Sequence, residues 1–284
     1  MAIDYDALMA TRVDDELCVY TEKDAMLYAL GVGFGSNPLD RKELPYVFEG
    51  ATLKTVPTLA SMLLPSNFLD ECGWIYDQVL HTEMTLDLYR PLPPFARLLT
   101  NRRVIAVHDR GAKKGAKIRM ESEVRLAKDD TVLFTLGNTL LARADGGFGG
   151  AAGENPLPHR LPKREPDLVC DLRTRPDQAL LFRLSGDLNP LHADPDLAIR
   201  LGFDAPLLHG RSTCGVACRA ILMTICDYDF TLISGFDVRF TAPVFPGDLI
   251  TTEMWQEGNI VSFRCLVKAR NTVVLNNGKC TLRA

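Results

Sequence analysis

The chain carries one pattern twice, and that repetition constrains its fold more than any other feature. At 20–39, Thr21 and Asp24 precede the apolar positions Ala25, Met26, Leu27 and Leu30, followed by Gly31-Val32-Gly33-Phe34-Gly35 and Asn37-Pro38-Leu39. At 174–191, Thr174 and Asp177 precede Ala179, Leu180, Leu181 and Leu184, followed by Ser185-Gly186-Asp187 and Asn189-Pro190-Leu191. A threonine with an acid three residues on approximates a capping box. Each copy therefore predicts a capped helix with a glycine-rich exit into a proline-restrained turn.

The echo continues downstream. The run 56–64 answers a helix of small residues expected over 211–227, and Leu86-Asp87-Leu88-Tyr89-Arg90-Pro91 answers Val238-Arg239-Phe240-Thr241-Ala242-Pro243. Strand-like runs follow in each copy, at 103–107, 117–126 and 132–141 and again at 249–255, 260–268 and 272–282. Turn residues at Lys128-Asp129-Asp130 and Asn276-Asn277-Gly278 predict antiparallel hairpins between them. Each half is thus a helix or two with an antiparallel sheet, an α+β plan. The glycines of 146–150 and the prolines at 156, 158, 162 and 166 show no apolar periodicity and predict an extended crossover. The expected division is a degenerate first repeat over 1–150 that shapes the pocket for the substrate's tail, with 1–19 as a lead-in, a crossover over 151–170, and a second repeat over 171–284 that carries the chemistry.

A length of 284 residues accommodates two such units, and 46% hydrophobic residues supply their cores. The net charge of −4 gives no basic face for a nucleic acid. No apolar run reaches the ~20 residues that span a bilayer. The acidic N-terminus does not read as a secretory signal, and the final Thr-Leu-Arg-Ala is not a Ser-Lys-Leu-type peroxisomal address, so a cytoplasmic location is expected. The eight cysteines contain no C-x-x-C pair and read as buried, reduced thiols rather than metal ligands.

The copies differ in their chemistry. The second places Asp187, Asn189 and His192 within six residues, whereas alignment on Asn-Pro-Leu offers Gly33 and Asp40 in the first, with two extra residues in its glycine loop. A carboxylate and an imidazole sharing one water can activate it near pH 7, and an Asn amide can orient them. The alternative is that Asp187 and Asn189 only cap a helix starting near Asp194. Gly210 opens the small-residue helix. Without a Cβ its N–H can approach a ligand closely at a helix end that favours negative charge, as an oxyanion hole requires. His209 reads as a structural histidine. Arg110, Lys113, Lys114 and Lys117 form either a solvated turn or a contact for the phosphates of a nucleotide-tailed substrate.

Ser185-Gly186-Asp187-Leu188-Asn189-Pro190-Leu191-His192 with Leu208-His209-Gly210 resembles the MaoC-like, R-specific enoyl-CoA hydratase 2 family. The runs 28–33, 89–93, 146–150 and 253–259 are similar to the hydratase domain of the peroxisomal multifunctional enzymes type 2. The resemblance implies a double hot-dog fold and reversible hydration of a trans-2-enoyl-CoA to a (3R)-3-hydroxyacyl-CoA. Asp187 and His192 would hold the water, Asn189 would orient them, and Gly210 would stabilise the enolate oxygen. It further implies CoA and acyl contacts at His81, Thr82, Arg110, Leu188, Pro190, Leu191 and Phe240. The expected partner is an acyl-CoA thioester, with no nucleic acid, no membrane and a homodimer as a further possibility, and no metal or other cofactor. Thr82 stands where the family has glycine, and Arg110 where it has lysine. The rival readings are a dehydratase acting on acyl carrier protein, a hot-dog thioesterase and a non-catalytic thioester-binding module.

Overall fold

The structure is a computed structural model that describes residues 4–50, 52–64, 68–69, 79–149 and 156–283. Pro65, Cys72, Gly150 and residues 151–155 of the expected crossover lie outside them. The lead-in is structured. Asp4 caps helix α1 (Tyr5–Ala10) by accepting from Ala7 N, and strand β1 (Arg12–Tyr20) follows. Helix α2 (Glu22–Gly31) begins where its cap predicts, with the Asp24 carboxylate accepting from Thr21 N at 2.8 Å and from its hydroxyl at 2.7 Å. A short helix α3 (Leu44–Val47) and a 3-10 turn (Pro57–Met62) precede β2 (Val79–Leu88), β3 (Ala96–Asp109), β4 (Ala116–Leu126) and β5 (Val132–Ala142).

The second half opens with β6 (Leu168–Arg173), already strand before the expected end of the crossover at residue 170. Helix α4 (Gln178–Phe182), α5 (Pro195–Arg200) and α6 (Gly210–Thr224) are followed by β7 (Ile233–Phe240), β8 (Leu249–Glu257), β9 (Ile260–Val267) and β10 (Thr272–Leu282). Thr174 does not cap α4. Its hydroxyl donates to the Asp248 carbonyl at 2.9 Å, and Gln178 instead reaches back to accept from Arg175 N. Asn276-Asn277-Gly278 is likewise not a hairpin turn. It is a bulge inside β10, where the pairing shifts register and Asn277 takes a φ of 53°.

The ten strands form one antiparallel sheet in the order β1-β3-β4-β5-β2-β7-β10-β9-β8-β6. Read outward from the central β2–β7 pair, the two halves match strand for strand: β2, β5, β4, β3, β1 on one side and β7, β10, β9, β8, β6 on the other. The seam is a short antiparallel contact in which Met84 pairs with Val238 and Asp87 with Gly235. With the helices on the inner face, this is the α+β double hot-dog arrangement.

The main core joins the halves, bringing Tyr28 and Phe34 together with Phe182, Ala217, Phe236 and Phe263. Helix α6 is buried continuously from Ser212 to Leu222. Its small side chains allow that approach. A Cβ at Gly215 would stand 2.3 Å from a Val32 methyl, so α2 and α6 touch only because none is there. The first half has the six-residue Pro57–Met62 turn where the second has α6, and a smaller cluster around Leu8, Val104, Ile118 and Ala142 forms separately. The seven described cysteines are free, and six of them are buried.

Candidate active site

Proline at 190 shapes the loop that carries the polar residues. Asn189, held extended before it, accepts from Leu191 N through Oδ1 at 2.9 Å and caps the single 3-10 turn Pro190–His192. The Asp187 carboxylate accepts from Asn189 N at 3.3 Å. Helix α5 is capped by Asp194 itself, so Asp187 and Asn189 do not serve it. The capping alternative therefore fails for α5, and Asn189 caps only its own short turn. Using Oδ1 there leaves the Asn189 amide nitrogen as the donor group toward the site.

His192 is fixed by the strand-like segment that leads into α6. Its Nδ1 lies 2.9 Å from the Leu207 carbonyl, while Leu207 N donates back to Leu191 O. A carbonyl only accepts, so Nδ1 carries the proton and the Nε2 lone pair is left as a base. His209 does the converse. Its Nε2 donates to the Asp187 backbone carbonyl at 3.1 Å, and its ring stacks on His192 with centroids 3.6 Å apart. His209, read from the sequence as a structural histidine, is buried and braces both members of the pair. Ligating atoms of Asp187, His192 and His209 all lie within 4.8 Å of one another.

Burial governs the titration. It pushes His192 down, against the opposing pull of Asp187, and pushes His209 and His81 down to about 3, so these rings are neutral at pH 7. Burial raises the Asp187 carboxyl, but His209, Arg211, His192 and the Asn189 N–H outweigh it, and its pKa falls below the ordinary value. Near neutral pH the pair is therefore an ionised carboxylate beside a neutral imidazole, both able to accept a proton.

Gly210 is the first residue of α6, whose opening N–H groups have no acceptor within the helix. A Cβ at 210 would lie 3.1 Å from the Phe240 ring, so the glycine lets that ring close over the helix end. Asp187, Asn189, His192, Leu191 and Gly210 all face one cavity of about 620 Å³, together with His81, Thr82 and Phe240 from the strands at the seam. The His81 and Phe240 rings are 4.8 Å apart. Thr82 sits at a bulge in β2 and donates its hydroxyl to the Thr139 carbonyl, which accommodates the side chain the family pattern lacks. Leu188, Pro190 and Arg110 are exposed and do not line the cavity. Arg110 lies on the β3–β4 turn, next to Asp109, whose carboxylate gathers the N–H groups of Gly111, Gly147 and Gly149.

The silent copy keeps the scaffold. Asn37 Oδ1 accepts from Leu39 N at 3.1 Å, and Asp40 N donates to Asn37 O as His192 N does to Asn189 O. Counting back from the shared asparagines puts Gly35, not Gly33, at the place of Asp187, and no extra residues are needed in the loop.

Comparison with known proteins gives two family matches that together span most of the chain. An MFE-2 hydratase 2 N-terminal domain matches residues 19–144, and a MaoC like domain matches residues 159–277. The chain is 36% identical over 288 residues to "Enoyl-CoA hydratase 2, peroxisomal" of Arabidopsis thaliana, covering 95% of this chain and 93% of that one. It is also 36% identical to "3-hydroxyacyl-thioester dehydratase Y" of Mycobacterium tuberculosis, covering 98% of each. Among solved structures, a MaoC-like dehydratase from Phytophthora capsici superposes with a TM-score of 0.87 at 28% identity, covering 99% of this chain and 98% of that one.

Proposed function

Because the chain belongs to the MaoC-like hydratase 2 family, we propose that it reversibly hydrates a trans-2-enoyl-CoA to a (3R)-3-hydroxyacyl-CoA, as a hydro-lyase of fatty-acid or sterol side-chain β-oxidation. The observation that carries this reading is the pairing of an ionised Asp187 with the free Nε2 of a neutral His192 in one cavity, beside the N-terminus of α6. Water held between the two loses a proton to the pair as its oxygen bonds to the β-carbon. The double-bond electrons move onto the α-carbon and the thioester oxygen, where the Gly210 N–H and the α6 dipole stabilise the enolate. A proton delivered to the α-carbon completes the addition. The pair is assigned jointly, since groups this close titrate as a unit.

No metal belongs to the proposal. His192 Nδ1 and His209 Nε2 donate to carbonyls, so a cation in this cluster would take His192 Nε2, His209 Nδ1 and the Asp187 carboxylate, and would occupy the lone pairs that the acid–base step needs. Arg110 on its exposed turn is assigned to the CoA phosphates, and Leu188 and Pro190 to the rim. Buried, reduced thiols suit a reducing compartment, and we place the protein in the cytoplasm; the Arabidopsis relative is named peroxisomal. Among the described residues no helix is long and apolar enough to cross a membrane. A homodimer is part of the reading, and sedimentation at the mass of one chain removes it.

The test is direct. Purified protein should bleach the ultraviolet absorbance of a trans-2-enoyl-CoA, and an R-specific dehydrogenase should oxidise the product. Release of free CoA would identify a thioesterase instead, and faster turnover of the matching acyl-carrier-protein thioester would identify a synthetic dehydratase.

A further inference from the structure

On the first half's inner face the apolar side chains are interrupted by Thr100, whose hydroxyl donates to the Glu16 carbonyl, and by one row that faces the cavity. Along β3, Arg102 stands between Leu98 of the main core and Val104 of the smaller cluster. Along β4, Met120 and Ser122 stand between Ile118 and Val124, and along β5, Asn138 and Leu140 stand between Leu136 and Ala142. The strand register sets Arg102 opposite Ser122 and Met120 opposite Asn138. All of these row residues line the same cavity as Asp187 and His192. A pure hydrocarbon tail entering from the catalytic end would therefore lie across three polar side chains, Arg102, Ser122 and Asn138, set among Met120 and Leu140.

The members of the row are not equivalent. Arg102 is ion-paired with Glu16 and stacks over the Phe68 ring. Asn138 is only 8% exposed, its amide acts on the neighbouring His81 ring, and its Oδ1 has no geometrically good hydrogen-bond partner among the described residues. It is joined to the reacting centre by a short series of contacts. Leu140, next on the same face, pairs with His81, the His81 ring abuts Phe240, and Phe240 covers Gly210.

We propose that Asn138 is a tail-recognition residue and that the acyl chain accommodated by the first half carries a hydroxyl group. This rests on the enoyl-thioester reading given above and adds to it a substrate class. An alcohol both donates and accepts, so it satisfies a side-chain amide in either orientation, with the Ser122 hydroxyl nearby on the adjacent strand. A methylene at that place satisfies neither orientation and leaves Oδ1 buried without a good partner. Sites built to pair with a hydroxyl discriminate sharply against analogues that lack it.

The experiment compares trans-2-enoyl-CoAs of one chain length, plain or bearing a single tail hydroxyl that is moved carbon by carbon. The readout is the ratio of kcat/KM for the hydroxylated over the plain substrate, which is insensitive to overall activity. For at least one position the native protein should favour the hydroxylated chain by roughly tenfold or more. Asn138→Leu should bring that ratio to about one, and Asn138→Thr, which restores a hydroxyl, should keep part of it. A ratio near one at every position in the native protein, or an unchanged ratio in Asn138→Leu, overturns the proposal. The native position scan decides the matter even if the leucine variant does not fold. Calorimetric binding of the corresponding 3-hydroxyacyl-CoAs reads the same preference without turnover. Absence of turnover with every thioester would sink the hydratase reading, whereas equal binding of hydroxylated and plain chains would sink only the subsite.

Discussion

The loop at 33–40 and the loop at 186–192 have the same turn and opposite electrostatics. In both, an asparagine caps a proline turn and the residue three places on closes it by a backbone hydrogen bond. The Glu43 carboxylate that bonds the first loop is sealed away. Gly35 N donates to Glu43, and Glu43, 1% exposed, pairs with Arg219 of α6 at 2.6 Å. In the second, the carboxylate and the imidazole keep their reactive atoms toward a cavity. The difference teaches that the turn and the chemistry are separable. Backbone bonds preserve the scaffold, and what differs is whether the charge beside it finds a protein partner or faces a cavity.

Substitutions at matching places put the largest strain on that contrast. Asp187→Asn and His192→Ala should each lower kcat by ~10²–10⁴-fold with the circular dichroism unchanged, the range expected for a lost general acid–base group. Asp40→Asn, at the place corresponding to His192, should leave kcat within about twofold. Equal losses in both loops would break the comparison. Next, Arg219→Met strands the buried Glu43 carboxylate and should cost ~3–5 kcal/mol in denaturant unfolding, with Glu43→Gln added to it restoring much of the loss. A smaller effect belongs to His209→Phe, which keeps a ring against His192 but removes the donor to the Asp187 carbonyl; kcat should fall by roughly tenfold, equivalent to about 1.4 kcal/mol.

Two pH responses sharpen the picture from the side of stability. His81, His192 and His209 all have native pKa values below 6.5, so an unfolded chain binds protons that the native state refuses. Unfolding free energy should therefore fall as pH drops from about 6.5 towards 3, as read by denaturation midpoints across that window. Asp237 works in the opposite sense. Burial, with Asp87 across the seam, raises it to about 6 despite Lys279. Asp237→Asn should thus stabilise the protein at pH 7, by about 1–2 kcal/mol after allowing for partial exposure. The gain should disappear below about pH 4, where the aspartate is protonated in both states.

The duplicated plan, the strands β4, β5, β8, β9 and β10 and the grouping of Asp187, Asn189 and His192 in one cavity were legible because each is written in a local run of residues, and Gly210, further along, because it opens a helix. The two edge strands, and the central pair β2 and β7, were not. β1 begins Arg-Val-Asp-Asp-Glu and is interrupted by a bulge between Val13 and Glu16, with Asp15 at a φ of 53°, so its alternation is lost. Charges and bulges of this kind are how edge strands avoid pairing with other chains, and they erase the sequence signal as they do so. β6 is short, and its Leu168 and Val169 are exposed. His209 looked like a core residue because its partner, the Asp187 carbonyl, lies 22 positions away. The polar row of Arg102, Ser122 and Asn138 was invisible for the same reason, since only cross-strand register brings those residues side by side.

The seam has a consequence for how the protein comes apart. Only a short stretch of β2 pairs with β7, yet the cavity draws His81 and Leu140 from one side and Phe240 and Leu275 from the other. A thioester bound there, as proposed, would be a strut across the joint, touching both halves where few backbone pairs hold them. Its binding energy is available only while the halves stay docked. Saturating ligand should then merge any separate melting of the halves into one transition and slow the shearing of one against the other, so that substrate acts as part of the framework.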